Sequence, residues 1–177
     1  MFKLQVYTLG YGGRSLEEFI NILKRLKVEA VIDVRRWNVS RRLPDFSGRS
    51  LAEALNRSGI EYFWIPELGG YRRFGVDVED HGIAKCFKSA GFRTYATYIT
   101  MNSAVKPYLE KLVHIASGSV SMLLCREKYP WLCHRKILSD YLYAKGFKVL
   151  HVIDIDDVFE HRLSKCAVVV NGELRYV

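Results

Sequence analysis

Short apolar runs of strand type alternate with amphipathic stretches of helical type along this chain, and that order specifies an α/β domain with a largely parallel sheet. Leu4 to Gly10 reads as the first strand. Ser15 and Glu18 then form a capping box ahead of Leu16, Phe19, Ile20, Leu23 and Leu26, which recur at helical spacing. Ala30 to Val34 is apolar without alternation, as a strand covered on both faces must be, and it ends in Asp33-Val34-Arg35. A second capping box, Ser50 with Glu53, predicts a helix that Gly59 ends, and Ile60 to Ile65 predicts a third strand stopped by Pro66. Thr94 to Ser117 reads as helix interrupted near Pro107, Val120 to Cys125 as a fourth strand, Leu132 to Ala144 as a helix, and Val149 to Ile153 as a fifth strand. Cys166 to Val170, Asn171-Gly172 and Glu173 to Val177 form the strongest hairpin signal in the chain.

With 177 residues and no internal repeat, a single domain over 1–177 is expected, its α/β core at 4–154 and the hairpin at 166–177. Lys and Arg number 27 against 19 Asp and Glu, a formal charge of +8. Such a surface attracts anions: nucleic acid, nucleotides or phosphorylated metabolites. No leader pattern opens the chain and no apolar stretch reaches the length of a membrane span, so a cytoplasmic location without a membrane partner is expected. In that compartment Cys86, Cys125, Cys133 and Cys166 are read as buried, reactive or ligating rather than disulfide-bonded. Asn and Gln are scarce, five and one, a composition of heat-adapted proteins, in which intracellular disulfides are more common.

Two connections, Arg36 to Arg49 and Glu67 to about Phe92, are too long for plain turns and follow strand carboxyl ends, where open α/β sheets bind ligands. If the five strands run parallel, that edge collects a definite set of groups. Gly10, Tyr11, Gly12, Gly13 and Arg14 lie between the first strand and a helix, where backbone N–H groups face an anion. Their Gly-x-Gly-Gly pattern falls short of a dinucleotide fingerprint, and no cofactor is expected. Asp33, Arg35, Arg36, Arg41 and Arg42 follow the second strand; Glu67, Arg72 and Arg73 follow the third. Guanidinium groups bind oxyanions bidentately, although internal pairs such as Arg35–Glu67 would also use them. Rings stand among these charges, at Tyr71-Arg72-Arg73-Phe74, Phe92-Arg93-Thr94-Tyr95 and Tyr129-Pro130-Trp131, which is what base stacking requires, while Trp37 and Trp64 suit a core equally well.

The sharpest local feature runs from Cys125 through Glu127 to Cys133-His134-Arg135. Cys133 and His134 are expected in the first turn of a helix, where the dipole favours a thiolate; Cys133 would then be a nucleophile and His134 a general acid or base. The seven residues between Cys125 and Cys133 match no usual zinc spacing, so no metal site is expected, and Trp131 stands where a phosphatase-type loop needs Arg.

Taken in order, Thr8-Leu9-Gly10-Tyr11, Ser15 with Glu18-Phe19, Ile32-Asp33-Val34-Arg35, Pro66-Glu67-Leu68-Gly69-Gly70 and Cys125-x-Glu127 with Cys133-His134-Arg135 resemble the domain of unknown function 488 family of bacteria and archaea, over about residues 4–154. The resemblance implies a three-layer α/β domain and one functional region holding Asp33, Arg35, Glu67, Cys125, Glu127, Cys133, His134 and Arg135. It implies no reaction. Many family members carry His where Tyr11 stands.

The expectation is therefore an enzyme or ligand-binding domain for a small anionic ligand (phosphate, nucleotide or phosphosugar). Gly10 to Arg14 and Arg35 would hold the anion and Arg72 or Arg73 would close over it. His134, oriented by Glu67 or Glu127, would serve group transfer or hydrolysis with Cys133. Arg35→Ala is expected to abolish binding and spare folding. The alternative is a nucleic-acid-binding module without chemistry, its basic groups spread over a surface rather than gathered in a pocket. A third reading is a homodimer through the hairpin edge.

Overall fold

Every residue of Ala30–Asp33 is buried, which fits a strand enclosed by neighbours on both sides and layers on both faces. The structure is a computed structural model describing residues 4–177, so the chain start at Met1 to Lys3 lies outside the described residues. Five parallel strands, β1 (Gln5–Gly10), β2 (Ala30–Asp33), β3 (Glu61–Trp64), β4 (Ser121–Cys125) and β5 (Lys148–Asp154), stand in the order β3-β2-β4-β1-β5. A sixth, β6 (Asp157–Glu160), adds antiparallel to β5. Helices α1 (Leu16–Arg25) and α2 (Gly48–Arg57) cover one face through Phe19, Leu23, Leu51 and Leu55 against Leu9, Val31 and Met122. Helices α3 (Ala90–Met101), α4 (Lys106–Gly118) and α5 (Arg135–Ala144) cover the other, through Tyr95, Leu109, Leu112 and Leu138 against Val6, Ile32 and Leu123. The result is three layers. The hairpin β7 (Ala167–Val170) and β8 (Glu173–Tyr176) turns at Asn171 and Gly172, both at positive φ, and packs Leu174 and Tyr176 into the second core.

The capping box of Ser15 and Glu18 forms as read. The Ser50–Glu53 box does not, because α2 starts earlier, after Ser47. Gly48 donates to the Asn38 carbonyl, and a Cβ on it would collide with the Asn38 side chain, so glycine admits the chain to the helix two residues before Ser50. Pro107 does not interrupt a helix but opens one: α3 ends at Asn102, and Pro107 sits in the first turn of α4, where its missing N–H costs nothing. The helix expected from Leu132 begins instead at Arg135. Pro130 starts a tight 3-10 turn, closed by the Cys133 N–H on the Pro130 carbonyl, and Cys133 itself is extended.

The second long connection carries its own links. Asp77 pairs with Arg72, Asp80 with Arg93, and a Cys86–Cys166 disulfide ties the loop to the approach of the hairpin. That bond corrects the reading of four free cysteines and separates Cys86 from Cys125 and Cys133, which are both free and buried. Among the described residues no helix is long and apolar enough to cross a membrane.

Candidate functional site

The loop after β4 crosses the end of β1, and glycine is what lets it pass. A Cβ on Gly10 would strike the Glu127 carbonyl, and one on Gly12 would lie 2.8 Å from the Arg126 oxygen. Tyr11 and Gly12 donate to the Cys125 and Arg126 carbonyls, extending the β1–β4 pairing beyond the strands. These glycines thus serve the packing of Arg126 and Glu127 over Gly10 to Gly12.

Below that crossing lies Arg135, fully buried, which donates from Nε to the Cys133 sulfur at 3.3 Å, from Nη1 to Thr8 Oγ1 at 2.9 Å, and to the Glu127 carbonyl. Its backbone N–H also reaches the Cys133 sulfur, at 3.5 Å. Although Cys133 precedes α5 rather than lying in its first turn, its sulfur accepts from the first residue of that helix. Imidazole geometry completes the group. His134 Nε2 is bonded to the Val34 carbonyl at 2.8 Å, so Nε2 carries a proton and Nδ1 faces the sulfurs of Cys133, at 3.7 Å, and Cys125, at 3.8 Å. The Tyr95 ring meets the imidazole edge-on at 5.0 Å, and Cys125 Sγ lies 3.3 Å from Glu127 Oε2.

The two thiols separate in acidity. Burial opposes a Cys133 thiolate, but hydrogen bonding from Cys125 and the charges of His134 and Arg135 outweigh it and hold Cys133 well below the usual thiol range. Cys125, whose proton bonds to Cys133 and whose surroundings are dry, is pushed well above that range. Burial likewise opposes an imidazolium at His134, and the neighbouring Cys133 sulfur outweighs it, so His134 is raised. Both shifts run toward the charged pair, thiolate and imidazolium.

This group forms the floor of a cavity of about 340 Å³, a size suited to a small ligand. Arg36, Trp37, Tyr71, Arg126, Glu127 and Leu132 also line it, as do Tyr11 and Arg35. Of the residues singled out in the sequence, the structure therefore gathers Tyr11, Arg35, Cys125, Glu127, Cys133 and His134 along one cavity, with Arg135 beneath it. Arg36 lines it too, whereas Arg14, Asp33 and Arg72 lie elsewhere. Arg14 donates to the Gly10 and Ile153 carbonyls and faces Asp154. Asp33, wholly buried, takes two bonds from the Arg35 guanidinium and one from the Tyr62 hydroxyl. Arg72 spends its donors on Asp77 and on the carbonyls of Pro66, Glu67 and Gly69, stacked over Tyr98 at 4.5 Å. Neither Glu67 nor Arg73 lines the cavity. Sequence reasoning gave no site role to Arg126 or Leu132 and placed Tyr95 only among the rings available for base stacking. Trp37, 61% exposed, and Tyr71, 71% exposed, are two more lining residues, and the exposure of Trp37 removes the core placement that the sequence allowed equally.

Cys125 Sγ, Cys133 Sγ and a His134 ring nitrogen all lie within 4.8 Å of one another, a donor set that a soft divalent cation such as zinc would fit. Spacing along the chain does not show this, because the turn at Pro130 folds the seven-residue segment back.

Fold and site together define an α/β protein with two thiols and an imidazole under a ring-walled cavity at the carboxyl edge of its sheet. The family model described as domain of unknown function DUF488 matches residues 15–142, and the chain belongs to that family. No curated protein and no solved structure matches it.

Proposed function

We propose that the protein is an enzyme in which Cys133 acts as nucleophile on a small nucleotide-like anion bound in the cavity. One observation carries this reading: the Cys133 sulfur accepts two N–H bonds from Arg135 and touches His134 Nδ1 on the cavity floor. The anion is held by Arg36 and Arg126 at the walls rather than by the Gly10–Arg14 turn, whose backbone donors at Tyr11 and Gly12 are already used. Rings at Trp37, Tyr71 and Tyr95 take the planar part of the ligand. In the reaction the thiolate bonds to the electrophilic atom of the substrate, and the leaving group departs with the electron pair and takes the proton of His134 Nδ1. Water then gives a proton back to His134 while its oxygen bonds to the same substrate atom, and the new sulfur bond breaks with its electron pair on sulfur, restoring the thiolate.

Alkylation tests this. Phosphate, mononucleotides and phosphosugars are added while the loss of the free Cys133 thiol is followed by peptide mass. A nucleotide that protects Cys133 in the wild type but not in Arg36→Ser or Arg126→Ser supports the site; alkylation unchanged by every member of the panel removes it.

A second reading rests on the donor set itself: the same Cys125, Cys133 and His134 hold a divalent ion, with the cavity supplying an open coordination position. Metal analysis of the purified protein separates the two. One equivalent of zinc, lost together with Cys125→Ser, supports the metal; metal-free protein whose Cys133 alkylates readily supports the nucleophile.

A further inference from the structure

The carboxyl edge of the sheet carries more rings and more unpaired cations than one small ligand uses. A second cavity, of about 700 Å³, adjoins the first and shares Tyr11, Trp37, Val39 and Arg126 with it. Its own contribution is basic, with Arg41 and Arg42. Among the described residues, no carboxylate pairs with Arg41, Arg42 or Arg126. A ligand leaving the first cavity toward the second would pass Trp37 and enter a basic groove without quitting the protein.

Rings follow the same edge. Trp37 lies 5.7 Å from Tyr71, from the loops after β2 and β3. Beyond Leu132, on the loop after β4, Tyr129 and Trp131 stack at 4.9 Å with planes 19° apart, and Trp131 approaches Phe159 of β6 at 6.3 Å. Trp131 is 52% exposed. Cations stand over these rings too: Arg36 at 5.0 Å from the Trp37 centroid, Lys128 at 5.7 Å from that of Tyr129. Trp131 and Phe159 line a separate cavity that shares no described residue with the other two. Folding normally buries such side chains, so rings exposed among cations on the strand-end loops mark a binding surface.

We propose that the substrate reaches the cavity as part of a single-stranded nucleic acid, with bases stacked on Trp37, Tyr71, Tyr129 and Trp131 and phosphates on Arg41, Arg42 and Arg126. This rests on the reading of the first cavity as the nucleotide site. Exposed rings alternating with cations are the platform that unpaired bases use, since every base has a face to stack. A duplex hides those faces, and its bases cannot enter a cavity without leaving the stack. The second cavity gives the neighbouring nucleotide a place, which a free mononucleotide would leave unused.

The test is fluorescence anisotropy on the whole protein with labelled oligonucleotides about a dozen residues long. Single-stranded DNA, single-stranded RNA and the duplex are compared at several salt concentrations, with a mononucleotide as competitor. Both single strands, or one of them, bind more tightly than duplex and mononucleotide, and affinity falls steeply with salt. Arg41→Ser with Arg42→Ser lowers the slope of log affinity against log salt by about 1.4, the share of two phosphates. Trp37→Ala and Trp131→Ala each weaken single-strand binding roughly 5-fold or more; both side chains are exposed, and a thermal melt verifies that the variants fold. Duplex binding as tight as single-strand binding and indifferent to both Trp variants overturns the proposal. If a mononucleotide protects Cys133 while no oligonucleotide binds, this proposal falls and the nucleotide site stands; if neither ligand engages, both fall.

Discussion

Arg35 grips Asp33 through two hydrogen bonds, Nε to Oδ1 at 2.9 Å and Nη2 to Oδ2 at 2.7 Å, and both residues are buried at the carboxyl end of β2. The remaining donors of the guanidinium reach the Phe46 carbonyl and the Tyr11 hydroxyl. Burial opposes its charge, but the bonds and charge of Asp33 outweigh that, and the Arg35 pKa is raised. Arg35→Ala leaves a dry carboxylate without its partner, which costs about 3–5 kcal/mol. A thermal melt should show a fall of roughly 6–15 °C. An unchanged melting temperature with lost ligand binding would instead return Arg35 to the binding role expected from the sequence.

That pairing was within reach of the sequence, because residues two apart along an extended segment share a face, as Asp33 and Arg35 do. The strands were legible from composition: β1, β2, β4 and β5 are largely apolar runs, and β1 ends at Gly10, β2 at Asp33 and β5 at Asp154. Strand β6 was not, since all four of its residues are exposed and acids stand at both ends, leaving only Val158 and Phe159 as signal. The meeting of Cys125 with Cys133 and His134 depends on the 3-10 turn at Pro130, and the Cys86–Cys166 bond joins positions 80 residues apart. Neither relation has a period or a spacing that a single sequence displays.

The ion pair of Cys133 with His134 should appear in the pH dependence of alkylation. Because the thiol is held well below the ordinary range, its rate should rise at acidic pH and be level near neutrality, where an unperturbed thiol of pKa about 8.5 is still climbing. His134→Gln removes the positive partner, so the midpoint moves up, and the rate at neutral pH falls about tenfold for each unit by which the midpoint comes to lie above neutrality. Peptide mass distinguishes Cys133 from Cys125, whose raised pKa keeps it slow over the same range. A wild-type midpoint at or above about 8.5 would remove the nucleophile.

Reduction of Cys86–Cys166 should loosen the whole molecule rather than the hairpin alone. The bond closes a segment of 80 residues, for which the loss of unfolded-state entropy is worth about 4 kcal/mol. Thiol reductant should therefore lower the melting temperature by roughly 8–15 °C. The Cys86→Ala, Cys166→Ala double variant should melt at the reduced value and ignore the reductant. Equal melting of oxidised and reduced protein would show that native packing of Leu174 and Tyr176 alone holds the hairpin.

His151 makes stability depend on pH in a window away from the thiol chemistry. It lies buried between Thr8 Oγ1, 2.7 Å from its Nδ1, and His161 Nδ1, 2.9 Å from its Nε2. His161 in turn meets Asp140, which also accepts from the Tyr176 hydroxyl. Burial, then the charges of His161 and Arg135, press the His151 pKa down from 6.5 to about 3. In the unfolded chain the ring takes up its proton as pH falls through about 6.5, while the folded protein leaves it neutral until about 3. The unfolded state therefore binds the extra proton in that interval, and stability falls as pH falls, by up to about 1.4 kcal/mol per pH unit. Above about 7 this group contributes no slope. Denaturant melts at pH 7, 5.5 and 4 on wild type and His151→Gln should show the variant less stable at pH 7, because the shape and bonds of the ring are lost, yet losing less on acidification. Parallel slopes for the two proteins would assign the acid sensitivity to other groups and leave His151 as a packing residue alone.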